Sequence, residues 1–373
     1  MEILNSGSRL PWFDILVRKG EKNMTTDNLS ARQHDDHTSK RKADHIRINL
    51  EEDVQSHAVT LLDDLHFEHQ ALPEFNLDQI ETSQTLFSKP LKHPFLISSM
   101  TGGTDKAWEI NQKLAVAAQN YGLAMGLGSQ RAAIENPALE YSFKIRSAAP
   151  DILLFANLGA IQLNYGFTIE HCQKAVDMIE ADALILHLNP LQEALQPEGN
   201  TRFEGLLSKI EHICKTLAVP VIVKEVGWGI SGKTAAKLID AGVSAIDVSG
   251  AGGTSWAKVE MYRAKTKTDA DIASAFSDWG IPTVESIRQI KQVGNAIPVF
   301  ASGGIRHGVE AAKAIALGAC LAGMAGPFLK AVNESEQTLD AICQKIIKEL
   351  RIAMFAAGAA NIHELHNTPL YHW

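Results

Sequence analysis

The stretch HLNPLQEALQPEGN (187–200) follows directly on the apolar run ALIL and sets His187, Asn189, Gln192 and Glu193 close together. Glu193 is a carboxylate, and a metal that prefers hard oxygen ligands would occupy it. Gln192 is neutral at any accessible pH, and an amide is a poor acid and a worse base. A proton transfer centred here therefore needs a group that the stretch does not contain. Lys224, at the end of PVIVKEV (220–226), is the other reactive side chain. It suits a Schiff-base nucleophile, a cation for a phosphate, or a partner for an electron-rich ring. The plainer alternative is an ion pair with Glu225 or another carboxylate. A third set, Arg41, Lys42, His45 and Arg47 in KRKADHIRI, reads either as a solvated basic face or as an arm that an anionic ligand folds down.

These groups need a scaffold that brings distant strand ends together. From residue 94 onward, short apolar runs alternate with helical patterns. The runs are 94–100, 123–128, 152–158, 183–189, 220–226, 245–250, 297–304 and 320–326. Segments such as WEINQKLAVAAQNYG and GKTAAKLIDAG lie between them, with apolar residues three and four apart. The alternation predicts a parallel sheet with right-handed crossovers, and eight repeats favour an α/β fold closed as a (β/α)8 TIM barrel. Alternation along a strand aligns Leu153, Phe155 and Asn157, then Ile185, His187 and Asn189, then Ile222 and Lys224. Apolar residues would fill the barrel and a polar one would top each stack, at the end where such barrels place their chemistry.

The remaining run ends fit one mouth. Met100, Thr101 and Gly102 close the first run, Ser129 and Arg131 follow the second, and Ser249 and Thr254 follow the sixth. Gly303 and Gly304 after the seventh run, and Ala325 and Gly326 after the eighth, each lead into a helix. A helix N-terminus behind a glycine turn favours a phosphate. The connection 251–281 is long for a barrel loop and reads as a lid. Residues 1–38 are polar and read as an arm that is disordered or ordered by a ligand, with Met24 as an alternative start. Residues 39–360 read as one barrel domain, 335–357 as its final long helix, and 361–373 as a C-terminal tail.

Composition narrows the function. The chain has 373 residues, 45% hydrophobic and 21% charged, with a formal net charge of −8. That balance argues against nucleic-acid binding. No stretch approaches the roughly 20 apolar residues of a membrane span. Four cysteines without a CxxC pair fit reduced thiols in the cytoplasm.

Together, RKADHI, MTGG, GSQR, ANLGA, HLNPLQEALQPEG, VKEVGWGIS, GAGGTSW, ASGGIR and AGMAG closely resemble one family, type 2 isopentenyl diphosphate isomerase, the flavin-dependent form. The resemblance spans about residues 38–365. It implies a barrel that binds FMN and interconverts isopentenyl and dimethylallyl diphosphate. It also implies reduced flavin, with NADPH as reductant, Mg2+, and a cytoplasmic homo-oligomer, a tetramer or octamer. Met100, Thr101, Gly102, Ser129, Asn157, Lys224, Ser249, Thr254, Gly303, Gly304, Ala325 and Gly326 match FMN-contacting positions. Arg41, Lys42, His45, Ser129, Arg131, His187, Asn189 and Gln192 match positions around the diphosphate substrate. Gln192 also matches an amide implicated in proton transfer, and Glu193 matches the Mg2+ ligand. Asn200 stands where an acidic residue is usual, and Trp228 where smaller or polar ones are common. Neither is expected to touch a functional position. The expected mouth holds no acid–base pair, so reduced flavin would carry the proton. The alternative is an FMN-dependent oxidoreductase on the same barrel.

Overall fold

A computed structural model describes residues 41–372, so the arm read over 1–38 lies outside the described residues. Eight parallel strands close a barrel in chain order: β1 (Phe95–Ile97), β2 (Ala124–Gly126), β3 (Leu154–Gly159), β4 (Ala183–Leu188), β5 (Val221–Glu225), β6 (Ala245–Asp247), β7 (Val299–Ala301) and β8 (Leu321–Met324). Seven fall inside their apolar runs, and β3 runs one residue past its own, to Gly159. β8 pairs with β1, with Ala322 opposite Phe95, and this pairing shuts the barrel.

The helical patterns also form as expected. Thr104 caps Asp105–Tyr121 by accepting the Ala107 N–H, and Gly122 ends that helix in the left-handed region at φ +62°. Ser231 and Ser335 cap Gly232–Asp240 and Glu336–Ala357 in the same way. Each cap contributes about 1 kcal/mol.

Two hydrophobic clusters divide the work. The larger lies between the strands and the surrounding helices. The smaller fills the barrel itself with Leu96, Leu153, Phe155, Ile185, Ile222, Phe300 and Leu321, and the Phe155 and Phe300 rings stack at 5.8 Å. A hairpin of Gln84–Leu86 against Lys89–Leu91 adds Leu86 and Leu91 below, with Phe87 6.5 Å from Phe300. Truncating either stacked phenylalanine to alanine would cost about 3–5 kcal/mol.

The connection 251–281 folds into two helices, Trp256–Arg263 and Lys267–Ser274. It packs against residues 41–51, which are helical. Ile48, Val54 and Val259 form a small cluster of their own there, with Trp256 against it. Ser255 N–H donates to Val54 O at 2.8 Å, and Lys258 Nζ to Gln55 O at 2.6 Å. The two segments thus make one roof over the C-terminal end of the barrel. At the other extremity, Ile362–His366 is a short helix, and Leu370–Tyr371 pairs antiparallel with His66–Phe67.

Candidate active site

The barrel mouth and the roof enclose a cavity of about 310 Å³. Every residue nominated above for a ligand, from Arg41 to Gly326, lines it. Arg47 does not belong with the other basic residues of its helix. It is half exposed and faces Asp44 and Glu51.

The floor of the cavity is a polar belt fixed by strand register. His187 is the Cα partner of Lys224, and Lys224 of Asp247. His187 Nδ1 lies 2.8 Å from Asn157 Oδ1, while Asn157 Nδ2 donates to Leu127 O at 3.0 Å. With its amide nitrogen committed, Asn157 accepts. The proton therefore sits on His187 Nδ1, and Nε2 is left as an acceptor. Burial, reinforced by the charges of Lys224 and Arg41, brings the His187 pKa down to about 4, so the ring is neutral at physiological pH.

Lys224 takes the ion pair that the sequence left open, but not with Glu225. Its Nζ lies 3.6 Å from Asp247 Oδ2 and donates to the backbone oxygen of Glu225 at 2.7 Å. The Glu225 carboxylate instead collects the N–H groups of Val226, Gly227 and Trp228 at 2.6–2.7 Å and shapes the turn after β5.

The turn after β4 becomes the helix Pro190–Leu195, with proline at its start. Asn189 Nδ2 donates to Gln192 Oε1 at 3.1 Å and to Glu193 Oε1 at 2.9 Å. One expectation is corrected at this turn. Asn200 touches a nominated residue directly, donating its backbone N–H to Glu193 Oε2 at 2.5 Å, with its side-chain Nδ2 at 3.5 Å. The chain doubles back after Leu195, and Gly199 permits this because a Cβ there would stand 1.7 Å from Glu193 O.

A carboxylate that the sequence motifs did not single out lies behind this wall. Gln192 Nε2 donates to Glu260 Oε1 at 3.1 Å, and His45 Nε2 lies 3.2 Å from the same oxygen. Glu260 comes from the roof helix Trp256–Arg263, is buried, and pairs with Arg263 at 2.5 Å. It does not line the cavity, so it reaches the cavity only through Gln192 and His45. Arg263 also pairs with Glu198 at 3.0 Å and so ties the roof to the turn after β4.

The basic residues converge from the roof and the turn after β2. Arg41 NH1 donates to Gln196 Oε1 at 3.1 Å, Lys42 Nζ to Ser129 O at 3.1 Å, and Arg131 Nε pairs with Glu135 at 2.7 Å. Burial, helped by the neighbouring Arg41 charge, lowers the Lys42 pKa to about 7. Opposite them the wall is backbone and hydroxyl. Gly303 and Gly304 have φ values of +97° and +77°, and a Cβ on Gly303 would lie 2.1 Å from Gly250 O. Those two glycines answer to the close approach of the β6 and β7 loops. Gly326 differs: it opens the helix Gly326–Glu334, and a Cβ there would meet nothing within 4 Å.

Comparison with known proteins places this geometry. The family described as FMN-dependent dehydrogenase matches residues 183–372. An isopentenyl-diphosphate delta-isomerase of Synechocystis sp. is 55% identical over 337 residues, 90% of this chain and 97% of the relative. The enzyme of that name from Nostoc sp. is 54% identical, covering 89% of this chain and 95% of the relative, and that from Rickettsia africae is 51% identical, covering 87% and 95%. The chain belongs to the FMN-dependent isopentenyl-diphosphate delta-isomerase family. Among solved structures, mandelate oxidase superimposes with a TM-score of 0.63 at 15% identity over 91% of this chain and 98% of that one. Its complex with (S)-2-phenylpropionate gives 0.63 at 16% identity over 90% and 98%. At that identity the likeness shows the barrel alone.

The wall fits the flavin of the FMN-dependent family. The buried hydroxyls of Ser98, Ser99 and Thr101 have no protein partner and face a cavity that Lys224 also lines. The open N-terminus at Gly326 offers backbone donors to a phosphate. Four contributors escaped the sequence motifs: Ser98, Ser99, Asp247 and Glu260. The alternation Ala245, Asp247, Ser249 carries the same signal that marked Lys224. Glu260 carries none, because its partner lies 68 residues away in sequence.

Proposed function

We propose that the chain interconverts isopentenyl diphosphate and dimethylallyl diphosphate, with Lys224 and the β1, β7 and β8 turns holding FMN and the roof holding the diphosphate. The observation that carries this reading is the clamped amide of Gln192. It sits between Asn189 and Glu260, beside the one nominated carboxylate and the cations Arg41, Lys42 and Arg131. When bound in reduced form, FMN would supply acid–base chemistry for the double-bond shift without net redox change.

The chain's own groups do the rest. Arg41, Lys42 and Arg131 neutralise diphosphate oxygens, and His45 completes that wall. His187, held neutral by burial, contributes Nε2 as a hydrogen-bond acceptor rather than as a cation. Asn189 and Glu260 fix the plane of Gln192, whose amide orients the alkene or relays its proton. Glu193 binds Mg2+. Among the described residues no group of three or more His, Cys, Asp or Glu could hold a metal, so Glu193 would hold Mg2+ together with oxygen ligands from outside the chain. Ser129, Asn157, Ser249 and Thr254 position the flavin. We further propose NADPH as the source of electrons, a cytoplasmic location, and a homo-oligomer, a tetramer or octamer. No helix among the described residues is long and apolar enough to cross a membrane.

The test is a single assay. The FMN-loaded protein, reduced anaerobically and given Mg2+ and isopentenyl diphosphate, should yield dimethylallyl diphosphate without stoichiometric NADPH consumption. Steady NADPH consumption with no isomer formed would instead favour the FMN-dependent oxidoreductase.

A further inference from the structure

Asp247 is fully buried beneath the cavity floor and is not part of the cavity wall. Its Oδ1 accepts the Ser302 hydroxyl at 2.6 Å and the Ser249 N–H at 3.3 Å. Oδ2 has no hydrogen-bond donor, and Lys224 Nζ lies 3.6 Å from it. Beneath this carboxylate lie Ile222, Ala245 and Phe300 of the apolar fill. His187, the register neighbour of Lys224 on the other side, is neutral. Among the described residues Lys224 is thus the one cation paired with Asp247. In such a dry setting a charge is felt strongly and over distance.

We propose that Asp247 is a positioning residue for Lys224, holding its ammonium in the barrel mouth and offsetting part of its charge. It thereby limits how strongly the site favours negative charge on reduced flavin. This rests on the flavin reading of the cavity. The same carboxylate pins a strained corner: Ser249 has φ +37°, a conformation costly for any residue but glycine. Asp247→Asn retains an acceptor at Oδ1 and puts an uncharged amide nitrogen where the oxygen facing Lys224 was, so it separates the two roles.

The experiment is a redox titration of the FMN holoenzyme at one pH, followed by flavin absorbance. Asp247→Asn should raise the ratio of reduced to oxidised flavin at a fixed potential by on the order of tenfold, and Lys224→Met should lower it. An unchanged or lowered ratio in Asp247→Asn overturns the proposal while leaving the flavin reading intact. A wild-type protein that takes up no FMN overturns the flavin reading itself, and this proposal with it. If Asp247→Asn does not fold, the double variant Lys224→Met/Asp247→Asn decides. Folding restored by removing both charges supports the pair, and continued failure overturns it. A merely structural Asp247 would shift stability and leave the ratio where it was.

Discussion

Just after β1, the hydroxyls of Ser98, Ser99 and Thr101 are buried without hydrogen-bond partners and line the cavity. Across the cavity, between the roof and the turn after β4, the polar groups are bonded to one another. His45 and Gln192 share Glu260, Arg263 joins Glu260 to Glu198, and Arg41 holds Gln196. Among the buried side-chain atoms of the described residues, Asn189 Oδ1 and Arg263 Nε lack a partner there. A buried polar atom left alone costs about 1–3 kcal/mol, so the first side is built for a group that stays. The second side is bonded mostly to itself, so a ligand that comes and goes would exchange partners with it.

The sharpest way to break this contrast is Lys224→Ala. It should lower isomerisation by about a thousandfold with FMN still bound, because charge stabilisation in a dry site is lost. Normal activity at full FMN content would remove the electrostatic role. Next is Gln192→Asn, which shortens the clamp between Asn189 and Glu260. Turnover should fall about a hundredfold with fold and FMN content unchanged, and unchanged turnover would take Gln192 out of the chemistry. Arg41→Ala or Arg131→Ala should raise KM by about tenfold and leave FMN content alone. Flavin loss in either variant would show that the two sides are not separate anion sites.

A pH profile sharpens the same boundary. With its pKa lowered to about 7, Lys42 is charged below that pH and neutral above it. kcat/KM for the diphosphate should therefore fall as pH rises through about 7, and Lys42→Arg should abolish that limb. The smallest effect is expected for Asn200→Ala. The main bond of Asn200 to Glu193 comes from the backbone at 2.5 Å, and only a 3.5 Å side-chain contact is lost. Mg2+ affinity, read by activation curves, should change by less than about threefold.

The barrel was legible because each strand is an apolar run with its own polar end, and alternation is a local signal. Lys224 and His187 could be placed in the mouth for that reason. Glu260 could not. Its helix, Trp256–Arg263, lies in a segment that reads as a loop, and its partners Gln192 and His45 come from distant parts of the chain. Asn200 was hidden for a similar reason, since only the reversal at Gly199 turns a sequence separation of seven into contact with Glu193. Local pattern reveals what a strand presents, whereas contacts between loops depend on tertiary folding that no short window contains.

The hairpin under the barrel has a consequence for isotopes. Leu86, Leu91 and Phe87 pack beneath a bore filled by Phe155, Phe300 and Ile185, so that end of the barrel is apolar among the described residues. Under the proposed isomerisation, hydrogen exchanged with bulk solvent would enter at the roofed end, and the deuterium content of product formed in heavy water would report access through that end.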